Sequence, residues 1–249
     1  MHKFFTPSNY IFDNKGKIVG EDVKHIYKVL RLAEGEEVVL NDCAGVEYLA
    51  KINEVTKSEV TLDIIEKLDI NNESDVEIVL FQGMPKAQKM DLIVQKGTEL
   101  GVSKFIPLIT ERVDVKLKGD FKKLDRLNRI ALEACKQSKR SVIPEVLSPI
   151  GIDELINEIN TFDLILVPYE NKEDYGIKGL MKDIDKENIR RVCIIVGPEG
   201  GFEESEIERL KDAGAYIITL GKRILRTETA GFVATSLIQY ELGDLGGII

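Results

Sequence analysis

The sequence predicts an α/β protein in which a small β-barrel precedes a mostly parallel sheet covered by helices on both faces. Three observations carry this. Between residues 36 and 68, short segments alternate polar and apolar side chains, as half-buried strands do. After a polar stretch, Asn71-Asn72-Glu73-Ser74-Asp75, apolar strands alternate with amphipathic helices, the pattern of a parallel sheet. The chain has 249 residues, 43% of them hydrophobic and 31% charged, which is enough for two modest domains with cores of their own.

Taken in order, Glu21–Leu30 reads as a short helix. Glu37–Asn41, Glu47–Ile52 and Glu59–Ile64 read as strands, with the turn signal Asp42-Cys43-Ala44-Gly45 between the first two. The predicted barrel domain spans residues 1–70. The second domain, residues 74–249, opens with a strand at Val76–Gln82 and a helix at Lys86–Leu100 that stops at Gly101. A strand at Lys104–Ile109 follows, then a helix at Phe121–Lys139 with Phe121, Leu124, Leu127, Ile130, Ala131 and Ala134 on one face. Next come a helix at Ile152–Ile159 and strands at Phe162–Val167 and Arg191–Val196. The chain closes with a helix at Glu203–Ala213, a strand at Tyr216–Leu220 and a helix from about Thr227 to Leu242.

Composition narrows the chemistry. Cys43, Cys135 and Cys193 lie far apart, and His2 and His25 are the only histidines, so neither a disulfide framework nor a metal site is expected. No apolar run approaches the roughly 20 residues of a membrane span. Met1–Pro7 has no signal-peptide core, so a cytoplasmic protein is expected. The net charge is −9, yet residues 86–140 carry 14 basic and 7 acidic side chains. One basic block in an acidic chain is compatible with local phosphate contacts and also with a solvated helix face.

Two glycine-bearing turns follow late strands: Gly197-Pro198-Glu199-Gly200-Gly201, and Leu220-Gly221-Lys222-Arg223-Ile224-Leu225-Arg226-Thr227-Glu228-Thr229-Ala230. In parallel sheets, ligands sit beyond the carboxyl ends of strands, and glycine lets backbone approach them. Neither turn matches a phosphate-loop pattern, and Glu199 would repel a pyrophosphate. S-adenosyl-L-methionine (SAM), with an adenine for backbone groups and a sulfonium cation that tolerates carboxylate, fits better. Taken singly, the first turn is also what a tight strand-to-helix connection looks like. In the second, Lys222, Arg223 and Arg226 oppose the dipole of the coming helix, which points to an anionic partner; the other reading is a capped helix behind a solvated basic loop. Thr227 is the expected N-cap of that helix.

Together, in this order, the two turns resemble the signature motifs of the RsmE family of ribosomal RNA methyltransferases, which belong to the SPOUT superfamily. Upstream, Lys86–Met90, Gln95–Val102 and Glu133–Ser138 resemble the family's segments, as do Phe4-Phe5 and His25–Arg31. Lys3 and Lys28 stand where the family has arginine, and Lys139 where glycine is common.

The resemblance implies a PUA-like barrel and a SPOUT (alpha/beta knot) domain with a deep C-terminal trefoil knot. It also implies a homodimer, SAM as cofactor and no metal. The reaction it implies is methylation of uridine N3 in 16S ribosomal RNA of the small subunit. Expected cofactor contacts are Val167, Gly197, Pro198, Glu199, Gly200, Gly201, Leu220, Gly221, Ile224, Leu225 and Thr227.

The chemistry adds roles. Losing the N3 proton leaves an anion spread over O2 and O4, which a fixed guanidinium would stabilise. Arg226 is the first candidate and Arg223 the second. Glu228 is a candidate general base, an orienter of Arg226, or simply a helix-start carboxylate. Lys3, Lys28, Arg31, Lys86, Lys89, Arg112, Arg140 and Lys222 are candidate RNA contacts. Other readings are a SPOUT enzyme acting on transfer RNA or a ribose hydroxyl, a non-catalytic assembly factor, and a nucleotide-binding enzyme. The last helix has an expected core stripe, Ala230, Val233, Ala234, Leu237 and Ile238, with Phe232 nearly opposite. A helix apolar on more than one side needs a second burial surface.

Overall fold

The structure is a computed structural model describing residues 1–113, 121, 123–170 and 175–247. Lys122, within the helix expected from Phe121, lies outside the described residues. The chain forms two compact units, Met1–Glu73 with Cys135–Ile143, and Ser74–Ala134 with Pro144–Ile249.

The first unit holds β1 (Lys3–Phe5), β2 (Ile11–Phe12), β3 (Lys15–Val19), α1 (Glu21–Lys24), β4 (Glu37–Asn41), β5 (Glu47–Val55) and β6 (Glu59–Leu68). They make one six-stranded sheet in the order β1-β4-β5-β6-β3-β2. Only β1 and β4 run parallel. Alternation places Val38 and Leu40, Ala50 and Ile52, and Val60 and Leu62 on the buried face. Helix α1 runs on as a π-helical turn, His25–Leu30, which ends where Arg31 adopts a left-handed conformation (φ +54°).

The second unit is a seven-stranded parallel sheet. Its strands are β7 (Glu77–Gly83), β8 (Val102–Ile109), β9 (Glu145–Val146), β10 (Ile150–Gly151), β11 (Leu164–Pro168), β12 (Arg191–Val196) and β13 (Tyr216–Ile218). The order is β10-β8-β7-β12-β11-β13, with β9 also beside β8. Its helices are α2 (Lys89–Glu99), α3 (Leu124–Ser138), α4 (Ile152–Glu158), α5 (Ile177–Asp183), α6 (Glu204–Asp212) and α7 (Thr227–Leu242).

Both sheet faces are covered. Ile78 and Leu80 of β7 and Ile194 of β12 pack with α2, α3, α5 and α7. Val79 and Phe81 of β7 and Ile195 of β12 pack with α4 and α6. The near-continuous apolar strands follow from this two-sided burial. Among the described residues no helix is long and apolar enough to cross a membrane.

Two expectations change. Helix α2 begins at Lys89 rather than Lys86, because Ala87 is left-handed (φ +57°) and breaks the helix there. The buried stripe of α7 is Thr227, Glu228, Gly231, Ala234, Thr235, Ile238 and Gln239. It is more polar than the expected stripe and rotated from it. Gly231 of α7 faces Leu80 and Gln82, which a Cβ there would meet at an ordinary contact distance of 3.5–3.7 Å. Ala230, Phe232 and Leu237 are half-buried against the same core, and Val233 is half-buried.

Candidate active site

The parallel strands put the ends of β7, β11, β12 and β13 on one side of the sheet. A cleft of about 450 Å³ opens there. It is lined by Pro168–Glu170 after β11, Val196–Phe202 after β12, and Thr219–Gly221 with Arg223–Thr227 after β13, together with Lys89 and Ala230. That volume suits a small-molecule cofactor.

The walls are built by close packing. A Cβ on Gly83 would collide with the Pro198 nitrogen and lie 2.7 Å from the Gly197 carbonyl carbon, so the end of β7 and the first turn touch backbone to backbone. A Cβ on Gly197 would meet the Phe202 ring at 3.1 Å, and one on Gly200 would meet Arg112 at 3.1 Å. Gly221 faces open space but has φ +121°, which suits glycine alone.

Thr227 fastens the site. It is the first residue of α7, and Arg226 rather than Thr227 is the N-cap. The Thr227 hydroxyl is used elsewhere: it donates to the Gly197 carbonyl (2.5 Å) and accepts from Gln82 Nε2 (2.7 Å). Both side chains are buried, so three elements are tied together by buried hydrogen bonds, although Gln82 Oε1 has no partner among the described residues.

Charge is divided unevenly in the cleft. Lys89 Nζ lies 3.0 Å from Glu199 and 3.3 Å from Glu228. Glu199 also accepts the Lys86 backbone N–H at 3.1 Å. Burial pushes the Glu199 carboxyl upward, but Lys89 and the backbone N–H groups outweigh it and hold it below the usual range. The hydrogen bond to Glu199 raises Lys89. Arg223 and Arg226 are exposed and have no acidic partner among the described residues.

Several expected residues sit elsewhere. Val167 is buried in the core beside α4 and α6, because the strand pleat turns it inward, and the next three residues line the cleft instead. Lys222 is exposed and off the cleft wall. Glu228 pairs with Lys89, not Arg226. Arg112 grips Glu203 with two nitrogens, at 2.7 and 2.9 Å, and donates to the Gly200 carbonyl at 3.1 Å. It braces the first turn against the start of α6.

In the first unit, Arg140 is buried and bound to Glu73 at 2.6 Å. Lys3 is bound to the buried Glu47. A cation paired this way has little left to offer a phosphate. Lys28 and Arg31 are exposed. Sequence reasoning missed Gln82, Tyr169, Glu170 and Thr219; only their positions at or just past strand ends could have flagged them.

The donor set fits SAM. Glycine-bearing turns line the cleft, Val196, Leu220, Ile224 and Leu225 are its apolar residues, and Glu199 adds a carboxylate. A parallel α/β domain with such a cleft, in a chain that also carries a small β unit, is the architecture of an RNA methyltransferase. Family models agree: residues 72–239 match an RNA methyltransferase domain, and residues 18–65 match an RNA methyltransferase PUA domain.

The chain belongs to the ribosomal RNA small subunit methyltransferase E family, RsmE. It is 36% identical over 236 residues to the Bacillus subtilis protein of that name, covering 92% of this chain and 91% of the relative. The Aquifex aeolicus protein of the same name is 34% identical over 219 residues, 87% and 90% of the two chains. The solved Neisseria gonorrhoeae ribosomal RNA small subunit methyltransferase E bound to S-adenosyl methionine superposes with a TM-score of 0.84 at 33% identity. That match covers 98% of this chain and 99% of the other.

Proposed function

We propose that this protein methylates N3 of a uridine in 16S ribosomal RNA of the small subunit, using SAM, and that it does so as a cytoplasmic homodimer. The carrying observation is the cleft itself. Two guanidiniums with no acidic partner among the described residues, Arg223 and Arg226, stand beside glycine turns that lack phosphate-loop character. Family membership and the printed names of the relatives support ribosomal RNA as the substrate. They do not favour a transfer RNA, a ribose hydroxyl or a non-catalytic role.

Backbone of Gly197–Gly201 and Leu220–Leu225 would hold the cofactor, which supplies an activated methyl group on a sulfonium cation. Arg226, at the N-cap of α7, faces the developing charge on the uracil oxygens, and Arg223 assists. A donor preorganised toward such charge contributes most in a site closed to water. Glu228 accepts the N3 proton. Lys28, Arg31 and Lys222, exposed and without acidic partners among the described residues, contact RNA phosphates. The barrel domain is read as residues 1–70 and the SPOUT domain as 74–249, with its C-terminal segment knotted. The homodimer is supported by α7, where Tyr240 is 67% exposed and Val233 is only half-buried on the same side.

The test uses small ribosomal subunits from a strain lacking the enzyme. They are incubated with the protein and labelled SAM, and the RNA is digested to nucleosides. The expected product is 3-methyluridine in 16S RNA; label in any other nucleoside overturns the assignment.

A further inference from the structure

Gln82 is the penultimate residue of β7, and its side chain is fully buried. Only one end of its amide is used. Nε2 donates to the Thr227 hydroxyl at 2.7 Å and to the Gly83 carbonyl at 3.1 Å. Oε1 has no partner among the described residues and faces Gly231, where a Cβ would lie 3.5 Å from it. A buried acceptor without a partner destabilises a fold, and a hydrocarbon of the same length would avoid that penalty. What the amide contributes here therefore lies at Nε2. The amide cannot be turned round, because Oε1 would then meet the Gly83 carbonyl, acceptor against acceptor.

With Nε2 donating to it, the Thr227 oxygen sends its single proton to the Gly197 carbonyl at 2.5 Å. That carbonyl belongs to the peptide joining Gly197 to Pro198, and proline has no N–H. The carbonyl oxygen is the only strong hydrogen-bonding atom of that peptide unit. The same peptide lies on Gly83, where a Cβ would collide with the Pro198 nitrogen. Gln82 and Gly83 thus address one peptide, the first through polarity and the second through contact. We propose that Gln82 is a positioning residue for cofactor binding: its amide sets the direction of the Thr227 hydroxyl, which fixes the Gly197–Pro198 peptide at the start of the first turn. This rests on the reading that Gly197–Gly201 holds SAM. Gln82 is not among the residues lining the cleft, so it acts through Thr227 and Gly197, which are.

The experiment compares Gln82→Met, Gln82→Glu and Thr227→Val. Gly197-Pro198 is the only Gly-Pro pair in the chain. Protein labelled with carbonyl carbon-13 glycine and nitrogen-15 proline therefore gives one coupled carbonyl signal, that of Gly197. Thr227→Val removes the hydroxyl and marks where that signal lies without its donor. Gln82→Met leaves the hydroxyl without the amide that orients it, so the signal should move part of the way. The carboxyl group of Gln82→Glu has at most one proton where the amide has two. With that proton on the Gly83 carbonyl it presents an acceptor to Thr227, so the signal should move most of the way. SAM affinity by calorimetry should follow the same order, about threefold weaker in Gln82→Met and about tenfold weaker in the other two, the range of one lost hydrogen bond. KM for SAM should rise with it, while kcat at saturating SAM stays within about twofold of wild type, as for a lost contact made equally in ground and transition states.

A glutamine that only fills space predicts a different order: Gln82→Met, which loses every side-chain hydrogen bond, would bind SAM no better than Gln82→Glu. That order overturns the proposal, and so does an unmoved Gly197 signal in Gln82→Met, which decides the matter even if Gln82→Glu does not fold. If Thr227→Val weakens SAM binding while both Gln82 variants bind as wild type, the proposal fails and the reading of the first turn stands. If the signal moves as expected while all three variants keep wild-type SAM affinity, the hydrogen-bond chain exists but the first turn does not hold the cofactor, and the positioning role fails with that reading.

Discussion

The Thr227 hydroxyl donates to the Gly197 carbonyl at 2.5 Å, joining the first residue of α7 to the end of β12 across 30 positions of sequence. Gln82 Nε2 donates to the same hydroxyl from the end of β7. Thr227→Ala would leave the Gly197 carbonyl and a buried amide without this partner, a loss of about 1–3 kcal/mol. Thermal unfolding should drop by several degrees and SAM affinity should weaken, while Thr227→Ser should recover most of both. An unchanged unfolding midpoint for Thr227→Ala would show that the clasp carries no weight.

Glycine substitutions should separate space from conformation. Gly83→Ala meets backbone of Pro198 and Gly197, which cannot swing aside. It should destabilise the protein and distort the first turn. Gly197→Val meets the Phe202 ring and should weaken SAM binding measured by calorimetry. Gly221→Val meets no neighbour but forces a β-branched residue to φ +121°. It should cost about 1–3 kcal/mol or relax the second turn. SAM affinity unchanged in both Gly197→Val and Gly221→Val would remove these turns from the cofactor site.

Arg226 should matter to rate more than to cofactor binding. Arg226→Ala is expected to lower turnover by about 10²–10³ with SAM affinity nearly intact. Arg226→Lys should recover little, because an ammonium lacks the planar fork. Single-turnover assays on small subunits check this, and full turnover in Arg226→Ala would refute the role.

Stability should depend on pH at both ends. Glu199 is held low by Lys89 and backbone N–H groups against the upward push of burial. Asp163 is held low by the Arg190 and Arg191 N–H groups. Their contribution is present above the ordinary carboxylate range, about pH 4, and is lost as pH falls through the folded values. Lys89 is raised, so its share is present below about pH 10 and is lost as pH climbs through the folded value. Urea midpoints across pH should therefore fall in acid, and Lys89→Met should flatten the acid side.

Dimer formation should depend on the outward side of α7. Sedimentation at micromolar concentration should show twice the 28.0 kDa chain mass. Val233→Asp should shift it toward monomer and reduce methylation. A monomeric wild type that still methylates RNA would exclude the homodimer.

Sequence periodicity by itself determined most of the elements. Arg191–Val196 reads as a strand and is one, because a run buried on both faces has to be apolar throughout. The two glycine turns were legible for a similar reason: glycine beside a strand end is a local signal of close backbone approach. The short helix α5 carried too few turns to show a pattern.

Only the tertiary structure decided what each charge does. Nothing near Arg140 in the sequence says that Glu73 lies against it, and nothing near Lys3 names Glu47. Both were expected to meet RNA, and each forms an ion pair within the first unit. Lys89 became a bridge, and Arg226 has no acidic partner among the described residues, because β7, β12 and β13 end on the same side of one sheet with α7 packed on β7 and β12. Partners brought together by strand order are set by long-range packing, and no local window of sequence encodes them.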